Sequence, residues 1–93
     1  MSYEIIRTAQ FRKDFKLMQR RGKDMEKLKT VLRILADGGE LPSERRDHAL
    51  SGDFSGFREC HVEPDWLLIY CYRHNLLVLV CARTGTHSDL FGS

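Results

Sequence analysis

The sequence lacks the features of a membrane or secreted protein. No stretch approaches the ~20 consecutive apolar residues that a membrane-spanning helix requires. The longest apolar run, residues 76–82, has only the length of a strand. The N-terminus has neither the basic start nor the long apolar region of a signal peptide. We therefore expect a cytoplasmic protein that does not associate with membranes.

Paired cysteines are also missing. The three cysteines, at positions 60, 71 and 81, occur singly within predicted strands. No C-x-x-C pair and no His/Cys spacing indicates a zinc site. In a reducing cytosol such cysteines are most simply small apolar core residues. The sequence therefore predicts no disulfide, no metal site and no cofactor.

Charge is present but unevenly distributed. The net charge of the 93 residues is only +2. Residues 1–33 contain ten Lys/Arg against four acidic residues, whereas residues 34–93 contain five against nine. This asymmetry indicates a basic face for a polyanion or an acidic partner, with simple solvation of helix faces as the alternative.

Hydrophobic periodicity predicts a strand and two helices in the basic half. Residues 3–8 are typical of a short strand. Thr8 can cap a helix that carries Phe11, Phe15 and Met18 on one face and ends at Gly22. A second helix begins near Asp24 and continues to the glycines at 38–39. The two helices are expected to form a hairpin.

The second half predicts three strands after an irregular segment. They cover residues 57–63, 66–72 and 76–83, and tight turns join them. Residues 1–93 are thus expected to form one α+β domain, in which both helices cover one face of a mostly antiparallel sheet.

The last third also concentrates side chains suited to RNA chemistry. Imidazoles exchange protons near neutral pH, arginine matches a phosphate, and aromatic rings stack on bases. RNA cleavage without a metal needs a base for the 2′-OH, a cation for the phosphate and an acid for the leaving 5′-oxygen. The candidates in this part of the chain are His61, Asp65, Trp66, Arg83, His87 and Phe91, and His48 lies just upstream.

Three segments resemble one known family. They are Asp47-His48-x-Leu50-x-Gly52, the segment 57–70 with its His61-Val-Glu-Pro-Asp65-Trp66 core, and Arg83-Thr-Gly-Thr-His87-x-x-Leu90-Phe91. In these segments the chain is similar to the YafQ toxins of the RelE/ParE superfamily. The resemblance implies a toxin of a type II toxin–antitoxin pair that cleaves mRNA in the ribosomal A site. It also implies a RelE-like curved sheet.

The resemblance also implies partners. A cognate antitoxin is expected, with operator DNA contacted only through it, together with mRNA and rRNA of the ribosome. The basic helices are expected to lie against rRNA phosphates.

Matching this family residue by residue implies roles for the candidates. His87 corresponds to a catalytic histidine in a loop after the last strand, and the resemblance implies that it is the general acid. His48, His61 and Asp65 form a group that provides the base, with the proton acceptor left open. Asp65 could orient a histidine, or simply bond its own backbone in a turn.

The remaining candidates would bind substrate. Arg83 would clamp a phosphate, with a salt bridge to Asp65 or Glu63 as the alternative. Trp66 and Phe91 would contact codon bases, although Trp66 could equally belong to the core. Asp89 departs from the family pattern and adds a negative charge beside the proposed site, where it could modulate phosphate binding.

Two other functions compete with the nuclease. A ParE-like toxin would inhibit DNA gyrase by binding, without the histidine set. An inactive RNA-binding or ribosome-binding module would keep the fold without turnover. The matched ionisable positions favour the nuclease.

Overall fold

The computed structural model describes residues 2–92 and contains three helices and five strands. In chain order these elements are β1 (Glu4–Arg7), α1 (Ala9–Arg20), α2 (Met25–Ala36), β2 (His48–Ala49), β3 (Arg58–Glu63), β4 (Trp66–Arg73), β5 (Val78–Gly85) and α3 (His87–Phe91).

The five strands form one mixed sheet in the order β1-β5-β4-β3-β2. β1 runs parallel to β5, and every other neighbouring pair is antiparallel. The predicted α+β class with a mostly antiparallel sheet is therefore confirmed. Register shifts occur between His61 and Glu63 and between Ile69 and Tyr70. Such bulges bend and twist a strand locally.

Side-chain caps explain where the two long helices begin. The Thr8 hydroxyl accepts a hydrogen bond from the Phe11 amide at 3.0 Å, as predicted. Asp24 accepts one from the Glu26 amide at 3.1 Å. Each cap satisfies an amide that has no partner within its own helix.

The sheet has a buried cluster on each face. The larger cluster contains residues of α1 and α2 together with Cys60, Trp66 and Leu79. The smaller one joins Leu67 and Ile69 to Leu90 of α3. All three cysteines are buried and unpaired, which confirms their predicted place in the core. Burial raises the pKa of the Cys81 thiol to about 12.

The last strand differs from its prediction. It begins at Val78 rather than Leu76, because residues 74–76 form a short 3₁₀ turn and Leu77 adopts a left-handed conformation (φ 54°). Leu76 and Leu77 are 67% and 47% exposed. The apolar run therefore includes part of a turn, which periodicity alone does not separate from the strand.

Helix α1 covers the edge of β5 beyond the end of β1. The Thr8 amide bonds the Cys81 carbonyl at 3.2 Å, and the Thr8 hydroxyl donates to the Ala82 carbonyl at 2.9 Å. Six residues further on, the Asp14 carboxylate accepts a hydrogen bond from the Thr84 amide at 3.2 Å. Side chains of α1 thus replace a strand at this edge.

Within residues 2–92, the length and apolar content of every helix fall short of what crossing a membrane requires.

Candidate active site

Three histidines from separate parts of the chain meet on one side of the sheet. β2 pairs with β3 so that His48 lies opposite Glu59. His61 follows Glu59 by two positions on β3 and therefore points to the same face. The His61 and His87 ring centroids are 5.8 Å apart. Strand pairing and α3 together assemble the site.

One end of this site is the pair formed by Asp65 and His87. Asp65 Oδ1 lies 2.6 Å from His87 Nδ1 and accepts a hydrogen bond from the His87 backbone amide at 2.9 Å. These bonds hold the pKa of the Asp65 carboxyl below its usual value. Because an ionised carboxylate can only accept hydrogen bonds, Nδ1 carries the proton. Nε2 is therefore the nitrogen available for proton transfer with a substrate.

The other end of the site is centred on the buried carboxylate of Glu59. Its side chain is 7% exposed. Glu59 Oε1 lies 3.2 Å from His48 Nε2 and 3.7 Å from His61 Nε2. A buried negative charge needs compensating partners, and the two imidazoles are placed to provide them.

The tautomer of His61 follows from its second nitrogen. His61 Nδ1 lies 3.1 Å from the Pro64 carbonyl, which can only accept a hydrogen bond. In the neutral ring Nδ1 therefore holds the proton, and Nε2 has a free lone pair. His48 Nδ1 faces the Ala49 carbonyl at 3.2 Å, so only the doubly protonated His48 ring donates both of its hydrogen bonds at once.

The structure places His87 in a helix rather than the predicted loop. It is the first residue of α3, which Thr86 caps by accepting a hydrogen bond from the Asp89 amide at 3.1 Å. Asp89 in turn accepts one from the Thr86 amide at 2.9 Å. This capping box is legible in the sequence as Thr86-x-x-Asp89, a signal that the sequence analysis overlooked.

Arg83 forms an ion pair, but with neither of the partners named from the sequence. Its Nε and Nη2 atoms donate to the two oxygens of Asp14, each at 3.0 Å. Asp14 is 6% exposed and belongs to α1. The salt bridge to Asp65 or Glu63 was therefore the wrong alternative, because α1 brings a closer carboxylate. The Nη1 atom of Arg83 has no partner within residues 2–92.

With this geometry in place, comparison with known proteins gives a consistent result. Residues 3–92 match the family model described as "Bacterial toxin of type II toxin-antitoxin system, YafQ". The chain belongs to the YafQ family. It is 47% identical over 90 residues to the mRNA interferase toxin YafQ of Escherichia coli K12, covering 96% of each chain.

Solved structures of similar proteins agree with this membership. The toxin in the E. coli DinJ–YafQ complex is 45% identical and superposes with a TM-score of 0.88, over 97% of this chain and 99% of that one. A metal-bound toxin from Helicobacter pylori is 37% identical, with a TM-score of 0.90, over 98% and 100% of the two chains.

This member of the YafQ family also contains a group of possible metal ligands. One ligand atom each from His48, Glu59 and His61 lies within 4.8 Å of the others. Imidazole and carboxylate donors suit several transition metals. The cysteine spacing used in the sequence analysis could not reveal this group, because strand pairing brings its members together.

Trp66 does not fit its predicted role as a contact for codon bases. The side chain is fully buried in the helix-covered core. Its indole Nε1 donates to the Thr84 hydroxyl at 2.9 Å. A ring without exposed surface cannot stack on RNA in this conformation, so the alternative that placed Trp66 in the core is the correct one.

Phe91 remains available on the surface. It is 44% exposed, and its ring meets Phe54 edge to face at a centroid distance of 6.0 Å.

Glu59 is the site residue that the sequence analysis missed. Its spacing of two from His61 on a strand is the signal that could have identified it.

Proposed function

We propose that this YafQ-family toxin is a ribosome-dependent endoribonuclease that acts in the bacterial cytoplasm and cleaves mRNA in the ribosomal A site. The main support is the facing arrangement of two imidazoles, those of His61 and His87, with ring centroids 5.8 Å apart. The Nδ1 atom of His61 faces the neutral Pro64 carbonyl, whereas that of His87 faces the Asp65 carboxylate. This difference suits His61 to accept a proton and His87 to donate one.

In the proposed reaction His61 Nε2 accepts the proton of the 2′-OH. The 2′-oxygen attacks the adjacent phosphorus, and the bond from phosphorus to the 5′-oxygen breaks. The His87 imidazolium gives its Nε2 proton to that leaving oxygen. The products are a 2′,3′-cyclic phosphate and a 5′-OH, so deoxyribose at the cut site blocks the reaction.

The remaining site residues have supporting roles in this proposal. Asp65 holds His87 in the tautomer that presents Nε2, and Glu59 stabilises positive charge on His48 and His61. The free Nη1 of Arg83 contacts the phosphate, and the exposed Phe91 ring contacts a base.

Every proton in this scheme moves between side chains and substrate, so the reaction needs no metal. We expect a chelator that removes transition metals but leaves the Mg²⁺ of the ribosome in place to leave the cleavage rate unchanged. Excess Cu²⁺ or Zn²⁺ should lower the rate, because a metal at His48, Glu59 and His61 would occupy the lone pair that accepts the proton. Loss of activity with such a chelator, restored by a transition metal, would contradict the scheme.

We propose further that an antitoxin neutralises the enzyme and that operator DNA is contacted only through it. The E. coli relative is known from its complex with DinJ. On this chain, a groove on α1 is lined by Arg7, Arg12 and Lys16 beside the rings of Phe11 and Phe15. Such a groove suits an acidic amphipathic segment.

The exposed lysines of α1 are proposed to bind rRNA phosphates. The double charge reversal Lys13→Glu/Lys16→Glu should weaken ribosome binding and reduce its salt dependence. Thermal unfolding should be little changed, since both side chains are exposed. Ribosome binding equal to that of the wild type would show that these lysines do not bind rRNA.

The decisive test of the proposed function is primer extension on a defined mRNA, with and without translating ribosomes. We expect cuts within the reading frame that require ribosomes. Absence of cuts, combined with inhibition of DNA gyrase, would replace this proposal with ParE-like inhibition. Absence of both, with ribosome binding retained, would identify a binding module without turnover.

A further inference from the structure

Helix α3 is too short to be stable through its own hydrogen bonds. It contains five residues, whereas isolated helices shorter than ~12–15 residues are marginal in water. It nevertheless carries His87 at its first position. The geometry of the proposed acid therefore depends on what holds α3 to the rest of the protein.

Asp89 is the residue through which α3 is most heavily bonded. Its carboxylate accepts a hydrogen bond from the Thr86 amide. Its side chain also packs tightly over Gly85: a Cβ at position 85 would lie 2.9 Å from the Asp89 Cβ. Any larger residue at position 85 would therefore push α3 away from the end of β5.

Arg21, the residue that caps the C-terminus of α1, ties the same carboxylate to that helix. Its Nη1 donates to Asp89 Oδ2 at 2.7 Å, and its Nη2 donates to Oδ1 at 3.0 Å. The guanidinium and the Thr86 bonds hold the pKa of Asp89 far below its usual value. A bidentate pair fixes orientation as well as distance. The charge of Asp89 is thus paired with Arg21, rather than free to act on a bound phosphate as the sequence suggested.

We propose that Arg21 and Asp89 form a latch between α1 and α3, and that these two positioning residues fix the placement of His87 relative to Asp65 and His61. The role in catalysis rests on the proposed function, in which His87 is the acid. The latch itself, as a structural device, does not depend on it.

The link from the latch to the acid is short. His87 and Asp89 are two residues apart in a single helical turn. A rotation of α3 that releases Asp89 also moves the amide and Nδ1 of His87, both of which bond Asp65. Small displacements of a catalytic group can cost up to ~10²-fold in rate.

The first test compares Arg21→Met with Arg20→Met. Arg20 is exposed, lies on the same helix and has no ion pair within residues 2–92, so the control removes the same charge without touching Asp89. We expect Arg21→Met to lower the single-turnover cleavage rate about tenfold with little change in half-saturating substrate. Arg20→Met should keep the wild-type rate at saturating ribosome concentration, where a weaker contact with rRNA does not lower the rate. Equal rates in the two variants would overturn the catalytic role.

The second test detects the effect of the Arg21–Asp89 contact on His87 without measuring RNA cleavage. NMR titration of the Asp65 side-chain carboxyl reports the two bonds from His87 that lower its pKa. In Arg21→Met this pKa should rise towards the ordinary value of about 3.9, and in Arg20→Met it should stay at the wild-type value. An Asp65 pKa unchanged by Arg21→Met would overturn the latch, even if no variant cleaves RNA.

The double variant Arg21→Met/Asp89→Asn tests whether the two residues act through their mutual contact or independently of each other. If the two residues act through one contact, the double variant should cleave no more slowly than the slower single variant. Additive losses would show that they act separately. If wild-type protein itself fails to cut mRNA on ribosomes, the proposed function fails, and the Asp65 titration still decides whether the latch exists.

Discussion

The two ends of the candidate site hold their histidines in opposite ways. His87 is bonded to Asp65, whose side chain is 66% exposed and which lies in a turn between two strands. His48 and His61 face Glu59, whose side chain is 7% exposed and belongs to the sheet. One end has its carboxylate in water, and the other has it in the protein.

Because Glu59 is buried and Asp65 is exposed, water screens the charges of the two carboxylates to different extents. Water screens a charge interaction at the surface, whereas a buried charge acts through a medium of lower dielectric constant. Water therefore screens the charge of Glu59 from its imidazoles less than it screens the charge of Asp65 from His87. Asp65 should act chiefly by orienting His87, through two hydrogen bonds to one oxygen.

The largest effect is expected at the donor itself. In His87→Gln the leaving oxygen has no proton donor, and we expect the cleavage rate to fall by ~10²–10⁴-fold. His74→Gln is the matched control, because His74 bonds Tyr3 and stacks on Tyr72 instead of joining the site. Cleavage by His87→Gln at the wild-type rate would remove His87 from the mechanism.

A smaller effect tests the contrast between the two carboxylates directly. Glu59→Gln and Asp65→Asn each remove one charge with almost no change in shape. We expect Glu59→Gln to lower the single-turnover rate more than Asp65→Asn, because the buried charge is less screened. The reverse order would show that orientation of His87 outweighs the charge next to His48 and His61.

The smallest effect is a loss of stability of α3 at acidic pH, which we expect from the protonation of Asp89. Because the pKa of Asp89 is lowered in the folded state, its contribution to stability is present above the unfolded-state value of about 3.9 and is lost as pH falls below it. The protection factor of the Leu90 amide, which corrects for the intrinsic pH dependence of exchange, should therefore fall below about pH 4 in the wild type. Asp89→Asn should lack this dependence, and the same acid response in that variant would exclude Asp89 as its source.

The parts of the fold that could be predicted from the sequence are those with local signals. Thr8 precedes an apolar stripe of helical period, and the helix begins where that pattern places it. The turn at Pro64 separates β3 and β4 as expected. These features depend on neighbours within a few residues, so one segment contains the information.

The features that were missed depend on distant partners. Arg83 meets Asp14 across 69 positions, and no pattern near either residue indicates the pair. Trp66 follows a turn and begins an apolar strand, which fits either a core residue or a base contact. Only the register that places it near Thr84 decides between them. Glu59 becomes part of the site through its pairing with His48.

The position of β5 has a consequence for how the protein is made. This strand comes after all the others along the chain, yet it lies between β1 and β4 in the sheet. β1 therefore has no strand to join until residues 78–85 have left the ribosome. Pairing of such distant segments also makes folding slow. The nascent chain therefore has no complete sheet on which to assemble the site until β5 has emerged from the ribosome.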